Sequence, residues 1–411
     1  MKNNPSVNKF LFLISLVVFL SFIPAIVFSE VSARDNGVVE DFYPNGALKS
    51  KRTYLNKKLD GASEMYYDTG RMMNETFYRL DEFDGTYKSY FENGQIYTVK
   101  NYRMGKLEGE ASEYYENGKL RSSENYFQDQ LTGKNEYFYE DGQIKYSMTF
   151  VLGRLNGLSK EYYANGKLKS EVNYLNDVWN GVVKEYDENG ILTAEWNYVL
   201  GVKDGSAKIY YANGQVKWQM NFKNDVLVGP STSYSEKGVV ILAANFSNGL
   251  LQGMMKQYYE DGKLREETNY DHDVKDGPSK EYFSSGIISV SREFSKGKEI
   301  GSSKEFYDDG SLWMARSYVS DKRDGSLREY YRSGELKQEW IVRQGLLEGD
   351  SKGYYKSGEL MVEENYLAGK KNGVSRLYYR SGQLIYDDLY QNGVLLNRKA
   401  YDEHGQLVDP Q

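Results

Sequence analysis

The chain contains no cysteine, only six prolines and only two histidines among its 411 residues. Without cysteine it has no disulfide, no thiol nucleophile, no cysteine zinc site and no N-terminal cysteine for lipoprotein acylation. Six prolines also leave no stiff proline-rich linker. The formal net charge of −7 argues against a surface that neutralises nucleic-acid phosphates. We therefore expect no nucleic-acid partner and a fold that is stabilised by packing alone.

Glycine, in contrast, recurs at a fixed interval. Fifteen first-series glycines stand 24 residues apart, and fourteen second-series glycines follow the same interval with an offset of 15 residues. The first series is Gly46, Gly70, Gly94, Gly118, Gly142, Gly166, Gly190, Gly214, Gly238, Gly262, Gly286, Gly310, Gly334, Gly358 and Gly382, and the second runs from Gly61 and Gly85 to Gly373. Such a period indicates a repeat array, which offers an extended binding surface rather than one catalytic pocket.

Aromatic and aliphatic residues keep the same period. An aromatic residue stands four positions before every first-series glycine, and an aliphatic residue or Met stands two positions after it. Tyr or Phe stands eight positions after it in fourteen of fifteen repeats, Val342 being the exception. These short runs, separated by glycine-containing turns, predict β-hairpins. We expect a three-residue loop with a type I turn and a glycine bulge at each first-series glycine, and a return turn at each second-series glycine.

The expected loop sets a register. It places the aromatic residue at position −4 opposite the aliphatic residue at +2, and it pairs Glu113 with Arg121, Glu161 with Lys169 and Glu329 with Lys337. One face would carry the residues at −4, +2 and +8, and the other Lys, Glu, Asn and a second aromatic residue at −3. The predicted fold class is all-β, a repeat array of antiparallel β-hairpins that forms an elongated, single-layer, twisted or curved sheet.

The segments EYYENGKLRSSENYFQDQLTG and EYYANGKLKSEVNYLNDVWNG carry the repeat most completely. They resemble the MORN-variant repeat, and the resemblance extends over about residues 41–393. It implies a β-hairpin array that forms a long, often curved sheet. Members of that family include bacterial antitoxin components, exported repeat proteins and organisers of protein complexes at membranes. The resemblance supplies no catalytic residue.

The N-terminus carries Lys2 and Lys9, then an apolar run from Phe10 to Phe28. This order is typical of a secretory signal, and its length also suits an N-terminal membrane anchor. The predicted organisation is a signal peptide or anchor at 1–29, a short linker at 30–40, about fifteen repeats at 41–393 and a C-terminal cap at 394–411. We expect export to the periplasm, the cell surface or the medium, with membrane contact only through the N-terminal segment.

Catalytic residues are not apparent. The two histidines are His272, in a turn segment, and His404, in the predicted cap. Adjacent acids such as Asp308 and Asp309 suit side-chain hydrogen bonds in turns better than a metal site, and no calcium-binding or phosphate-binding motif is present. We expect no enzyme activity, no cofactor and no metal.

The second aromatic residue of the repeat is the candidate interaction face. Its members are Tyr67, Phe91, Tyr115, Tyr163, Tyr211, Tyr259, Tyr331 and Tyr355. Exposed rows of tyrosine are typical of contact surfaces for proteins or glycans. The expected function is an exported, non-catalytic scaffold for protein–protein interactions at the cell envelope. A module that binds glycan or cell wall, and an antitoxin component, are the alternatives.

Overall fold

A computed structural model describes residues 36–408, which form 39 β-strands and no helix. The paired strands are antiparallel, and the predicted all-β array of hairpins is confirmed. The chain divides into two compact units between Leu107 and Glu108. The predicted signal peptide or anchor at residues 1–29 lies outside the described residues. Within residues 36–408, no helix has the length and apolar character to cross a membrane.

The first unit contains the following strands. They are β1 (Asn36–Phe42), β2 (Leu48–Leu55), β3 (Lys58–Tyr66), β4 (Met72–Arg79), β5 (Glu82–Phe83), β6 (Gly85–Tyr90) and β7 (Ile96–Arg103). Each long strand pairs with the strand before and after it in the chain, from β1 to β7. β1 starts at Asn36, inside the segment 30–40 that the sequence analysis assigns to a linker.

Strand β8 (Lys106–Tyr114) contains the boundary, and the second unit holds the strands after it. They are β9 (Leu120–Phe127), β10 (Gln130–Leu131), β11 (Gly133–Phe138), β12 (Ile144–Val151), β13 (Arg154–Leu155), β14 (Gly157–Tyr162), β15 (Leu168–Leu175), β16 (Val178–Tyr186), β17 (Leu192–Val199), β18 (Val202–Tyr210), β19 (Val216–Lys223), β20 (Val226–Leu227), β21 (Gly229–Tyr234), β22 (Val240–Ser247), β23 (Leu250–Leu251), β24 (Gly253–Tyr258), β25 (Leu264–Asp271), β26 (Val274–Tyr282), β27 (Ile288–Ser295), β28 (Lys298–Phe306), β29 (Leu312–Val319), β30 (Lys322–Tyr330), β31 (Leu336–Arg343), β32 (Leu346–Leu347), β33 (Gly349–Tyr354), β34 (Leu360–Leu367), β35 (Lys370–Lys371), β36 (Gly373–Tyr378), β37 (Leu384–Gln391), β38 (Val394–Tyr401) and β39 (Leu407–Val408). The last two strands lie within the predicted cap, where β38 pairs with β37 and β39 pairs with β38.

The turn at each first-series glycine is the predicted three-residue loop. In the hairpin of β14 and β15, the Gly166 N–H donates to the Tyr163 carbonyl at 2.9 Å, and the Tyr163 N–H donates to the Lys167 carbonyl at 2.8 Å. Gly166 has a φ of 79°, the left-handed conformation that the bulge position requires. Tyr162 lies opposite Leu168, which confirms the predicted pairing of positions −4 and +2.

The predicted faces are wrong because each hairpin contains a second bulge beside the loop. The register shifts between Tyr162 and Glu161, so Glu161 faces Ser170 and Lys169 becomes an extra residue. An extra residue moves every later side chain of that strand to the other face. Tyr174, at +8, therefore lies on the face opposite Tyr162. The side chains of Glu161 and Lys169 still pair at 2.8 Å, as do those of Glu329 and Lys337, while Glu113 faces Ser122.

The return turn does not lie at the second-series glycine, as the sequence analysis expects. It is a two-residue turn four positions earlier, such as Asn176 and Asp177 with φ of 48° and 69°. Gly181 instead lies inside β16, with a φ of 107°. The register shifts again at Asn173, which donates from Nδ2 to the Val182 carbonyl at 3.2 Å. The glycine and the Asn thus accommodate a bulge within the ladder.

The corrected register defines two faces of the sheet. In the repeat of β14 and β15, the charged face carries Lys160, Tyr162, Leu168, Glu171 and Asn173, and the packed face carries Ser159, Glu161, Val172 and Tyr174. The same positions define the two faces in the other repeats. Buried residues of the packed face include Ser50, Thr76, Ala111, Ser122, Val172, Val183, Ala194, Ala207, Ala244, Thr268, Ser303 and Ser351. Small buried residues thus form the centre of the packed face.

Candidate functional site

A line of side chains, here called the charged row, runs across the charged face of the second unit. Each member faces the next across neighbouring strands. In register order the members are Lys160, Glu171, Lys184, Glu195, Lys208, Gln219, Thr232, Ala243, Lys256, Glu267, Lys280, Ser291, Lys304, Ala315, Arg328, Glu339, Lys352, Glu363, Arg376 and Asp387. Its two ends alternate basic and acidic residues, whereas uncharged residues interrupt its middle.

Ion pairs follow this alternation at both ends of the row. Lys160 Nζ lies 2.9 Å from the Glu171 carboxylate, and Arg376 Nε lies 3.1 Å from the Asp387 carboxylate. The lysine side chains keep roughly two fifths of their surface exposed, as for Lys184 at 39%. Exposed pairs contribute at most about 1 kcal/mol each to stability. Their regular spacing gives the face a fixed pattern of positive and negative charge, which is a basis for recognition.

Tyrosines at position −4 extend the charged row on the same face. The hydroxyl of Tyr210 donates to the Glu195 carboxylate at 2.6 Å, and that of Tyr282 donates to the Glu267 carboxylate at 2.8 Å. Burial, together with these carboxylates, raises the pKa of Tyr210 and of Tyr282 to about 12. Both hydroxyls therefore remain neutral donors well into alkaline pH, and their hydrogen bonds fix the orientation of the glutamates.

A shallow groove of about 500 Å³ lies on the charged face beside the row. Glu171, Lys184 and Glu195 line one part of it, and Asn173 and Asn197 line another. Charged groups, amides and exposed aliphatic side chains thus converge on one open surface. The groove is too open to exclude water, which is a property of contact surfaces rather than of catalytic pockets.

The aromatic residues of the predicted interaction face lie at the hairpin tips and are half-buried. Seven of the eight are tyrosines, and each donates its hydroxyl to a backbone carbonyl of the next repeat, as Tyr163 does to Tyr186 at 2.8 Å. The corresponding donors are Tyr67, Tyr115, Tyr211, Tyr259, Tyr331 and Tyr355. Phe91 has no hydroxyl, and its ring packs against Tyr97 with centroids 4.9 Å apart. This row joins successive hairpin tips, and its role in binding stays a prediction.

Basic side chains cover several of these rings. The Lys169 ammonium lies 5.8 Å from the Tyr163 ring centroid, and the Lys217 ammonium lies 5.4 Å from that of Tyr211. Such cation–π contacts use the extra residue of the bulge at +3. They occupy part of the ring surface that the sequence analysis assigned to a partner.

The histidine and acid candidates take the expected positions in turns. His272 lies in an exposed return turn, where Nδ1 is 2.7 Å from the Asp271 carboxylate. Asp309 accepts hydrogen bonds from the Ser311 hydroxyl at 2.6 Å and from the Ser311 N–H at 2.9 Å, and these two bonds, the first above all, lower the pKa of Asp309. In the part of the chain that the structure describes, no group of three or more His, Cys, Asp or Glu residues has the geometry of a metal site.

Sequence reasoning missed the asparagine at +7, whose side chain packs beside the second-series glycine and donates a hydrogen bond to the residue after it. The Asn197 side chain donates to the Ser206 carbonyl at 2.6 Å, directly after Gly205. A Cβ on Gly205 would lie only 3.2 Å from the Asn197 Cβ. The recurrent Asn-Tyr dipeptide was visible in the sequence, but its purpose depends on a bulge that spacing alone does not reveal.

The model of the MORN repeat variant matches eleven segments, which together make up more than half of the chain. The chain belongs to the MORN-variant repeat family. The matched segments are 35–56, 83–104, 107–128, 131–151, 155–176, 179–199, 203–224, 251–272, 323–342, 347–368 and 371–392. MORN repeats generally mediate protein or membrane interactions. Three intervals of more than twenty residues between matched segments, 57–82, 225–250 and 273–322, are unmatched, although the strand pattern continues through them.

Comparison with curated proteins gives no match to this MORN-variant chain. Among solved structures, the crystal structure of TcdB2-TccC3 is similar over 91% of this chain and 25% of that chain, at 13% identity and a TM-score of 0.16. The Tc holotoxin pore of Photorhabdus luminescens with the mutation TccC3-D651A is similar over 90% of this chain and 24% of that chain, at 11% identity and a TM-score of 0.15. The chain thus spans about a quarter of the length of these solved chains.

Proposed function

We propose that this MORN-variant protein is an exported, non-catalytic scaffold that binds protein partners at the cell envelope through its charged face. The observation that carries the proposal is the charged row, which repeats one pattern of Lys and Glu on an exposed surface while the packed face buries its own centre. A pattern of fixed charges spread over many strands suits a protein surface, which supplies complementary charges over a comparable area. The apolar run at Phe10–Phe28 supports export.

A charge-swap variant tests the proposal. Lys184→Glu combined with Glu195→Lys keeps an acid facing a base within this pair across β16 and β17. It also places like charges opposite Glu171 and Lys208, so circular dichroism checks that the variant keeps the native strand content. The exchange reverses the pattern that a partner would recognise. The matched control is Tyr163→Phe, which removes only a hydroxyl of the hairpin-tip row.

The full chain, immobilised through a terminal tag, is used to capture partners from cell-envelope extract, and a captured protein is then purified and titrated against each variant. We expect a protein that binds the native chain and Tyr163→Phe, and that loses about tenfold in affinity for the charge-swap variant. Equal binding to all three forms would overturn the assignment of the charged face. Capture of cell-wall glycan and no protein would overturn the protein scaffold itself.

A further inference from the structure

Basic residues outnumber acidic residues in the part of the charged row between Lys208 and Lys304. Nine facing positions in this interval carry four lysines, one acid and four uncharged residues, namely Lys208, Gln219, Thr232, Ala243, Lys256, Glu267, Lys280, Ser291 and Lys304. We call this interval the basic stretch. Before it, two lysines face two glutamates, and after it three basic residues alternate with three acids.

The lysines of the basic stretch are weakly paired. Within residues 36–408, the structure gives neither Lys208 nor Lys304 an ion pair. Lys208 faces Glu195, whose carboxylate lies 3.8 Å from Lys184 and accepts the Tyr210 hydroxyl, and Lys304 faces Ser291 and Ala315. Lys256 and Lys280 share the single carboxylate of Glu267, at 4.0 Å and 3.9 Å. That carboxylate also accepts the Tyr282 hydroxyl at 2.8 Å. These four ammonium groups therefore keep most of their charge available to a partner, although the chain as a whole is acidic.

Other groups on this face fit the same conclusion. Glu293, two residues from Ser291, adds a second acid and leaves the lysines in excess. The hydroxyls of Tyr234 and Tyr258 have no hydrogen-bond partner in the described structure, where Gln219 and Ala243 stand in place of the glutamates that accept the Tyr210 and Tyr282 hydroxyls. Both hydroxyls are thus free to donate to an acceptor on a partner.

The spacing of the lysines selects the class of partner. Lys256, Lys280 and Lys304 lie on alternate strands, about 10 Å apart, and the uncharged interval between Lys208 and Lys256 spans four strand spacings, about 19 Å. A nucleic-acid backbone would place phosphates throughout that uncharged interval without compensation. A protein segment can place acids opposite the lysines and uncharged side chains between them.

We propose that the basic stretch binds an acidic segment of a partner protein, with carboxylates opposite Lys256, Lys280 and Lys304 and uncharged residues opposite Thr232 and Ala243. This inference rests on the proposed function, since it names the place on the charged face and the chemistry of the partner. It also gives the unmatched intervals 225–250 and 273–322 a common property, because four of the five uncharged residues that interrupt the alternation lie in them, namely Thr232, Ala243, Ser291 and Ala315.

The test uses the full chain and a fluorescein-labelled peptide of 20 residues with Glu at positions 4, 7, 10 and 16 and Ser elsewhere, measured by fluorescence anisotropy. At about 3.3 Å per extended residue, these glutamates match the spacing of Lys304, Lys280, Lys256 and Lys208 and leave the uncharged interval without acids. The site variant carries Lys208→Gln, Lys256→Gln, Lys280→Gln and Lys304→Gln. The matched control variant removes four exposed charges that have carboxylates as neighbours and lie outside the charged row, through Arg79→Gln, Lys134→Gln, Arg332→Gln and Arg380→Gln. Circular dichroism checks that both variants keep the strand content of the native chain.

We expect the native chain to bind this peptide, the site variant to bind about tenfold more weakly and the control to change by less than about threefold. Binding should also weaken as salt increases. No binding by the native chain, or equal losses in both variants, would overturn the inference. Tighter binding of a 20-nucleotide oligothymidine would assign the stretch to nucleic acid instead. A captured protein that still binds the site variant would leave the scaffold function intact and reject this location alone.

Discussion

The residue six positions after the first-series glycine, position +6, lies on the packed face. Its chemical type differs between two groups of repeats in the second unit. In the central repeats it is apolar, as Met148, Val172, Trp196, Met220 and Ala244. In the distal repeats it is mostly charged, as Arg292, Arg316, Trp340, Glu364 and Asp388. Burial does not explain the difference, since Ala244 and Asp388 are each 6% exposed. The same strand geometry thus accepts two different chemistries at one position.

Partners explain how the distal repeats keep charge there. Arg398 binds the Asp388 carboxylate with two hydrogen bonds of 2.8 Å and 2.7 Å, Arg292 lies 2.7 Å from Glu281, and Arg316 pairs with Glu305. Burial of an unpaired charge is costly, and a well-placed partner offsets much of that cost. The comparison shows that the side chain at position +6 requires either apolar contacts or an oppositely charged partner.

The largest expected effect comes from placing a distal residue in a central repeat. Ala244→Arg should lose about 3–5 kcal/mol of unfolding free energy, because the site is buried and Ser233, eleven residues earlier, offers no charge. Hydrogen exchange of the strands around Ala244 measures the local loss. Ser233→Glu, added to recreate the spacing of Glu281 and Arg292, should recover at least about 1 kcal/mol. An equal loss with and without the added Glu would contradict the partner explanation.

Removing one partner from a distal repeat should have the next largest effect. Arg398→Leu leaves the buried Asp388 carboxylate without its guanidinium and should cost about 3 kcal/mol. Asp388→Leu should cost less, because Arg398 can turn toward water. The double variant should be nearly as stable as the native chain, as measured by urea unfolding. A double variant that loses the sum of both single effects would show that the two residues are independent.

Replacing a second-series glycine by Ala in each group of repeats compares how strongly the backbone of the two groups requires glycine. Gly205→Ala in a central repeat combines a φ of 111° with a Cβ only 3.2 Å from the Asn197 Cβ, and should cost about 2–3 kcal/mol. Gly301→Ala in a distal repeat has a φ of 66° and no atom within 4 Å, and should cost about 1 kcal/mol. Urea unfolding of both variants measures the difference, and equal costs would reject the close approach of Asn197 as its cause.

The smallest expected effect concerns alkaline pH and tests whether the charged face is the same in both groups. The folded state holds the pKa of Tyr210 and of Tyr282 at about 12, above the ordinary value of 10.0. Above pH 10 the unfolded chain loses these protons first, so stability falls as pH rises from 10 to 12. Tyr210→Phe and Tyr282→Phe should each reduce the slope of stability against pH, and by similar amounts. Unequal changes in urea midpoints measured at pH 9, 10 and 11 would show that the two charged faces differ.

Much of the local fold could be predicted from the sequence. The spacing of Tyr162, Gly166 and Leu168 determined the three-residue loop and the pairing beside it, because few loops bring positions −4 and +2 together with glycine at the bulge. Continuation of this spacing through fifteen repeats then predicted the hairpin array.

The faces and the candidate site could not be predicted as well. An extra residue at Lys169 moves Tyr174 to the opposite face, and composition does not distinguish a bulged Lys from a paired one. The aromatic surface of the tyrosines at −3 indicates a contact face. In the structure, however, the Tyr163 hydroxyl donates to a carbonyl 23 residues away, and this contact depends on how successive repeats stack, which the sequence does not reveal. The charged row depends on cross-strand neighbours and became visible only with the corrected register.

Residues that join successive repeats are separated by only a short stretch of chain. Tyr163 reaches Tyr186 over 23 residues, and Asp177 accepts the Leu155 N–H over 22 residues. Folding of such a chain closes only small loops, which favours fast folding. At a synthesis rate of about 5–20 residues per second, the segment that completes one repeat is made within about 1–5 seconds. The protein can therefore assemble repeat by repeat as it is synthesised, each hairpin serving as the template for the next.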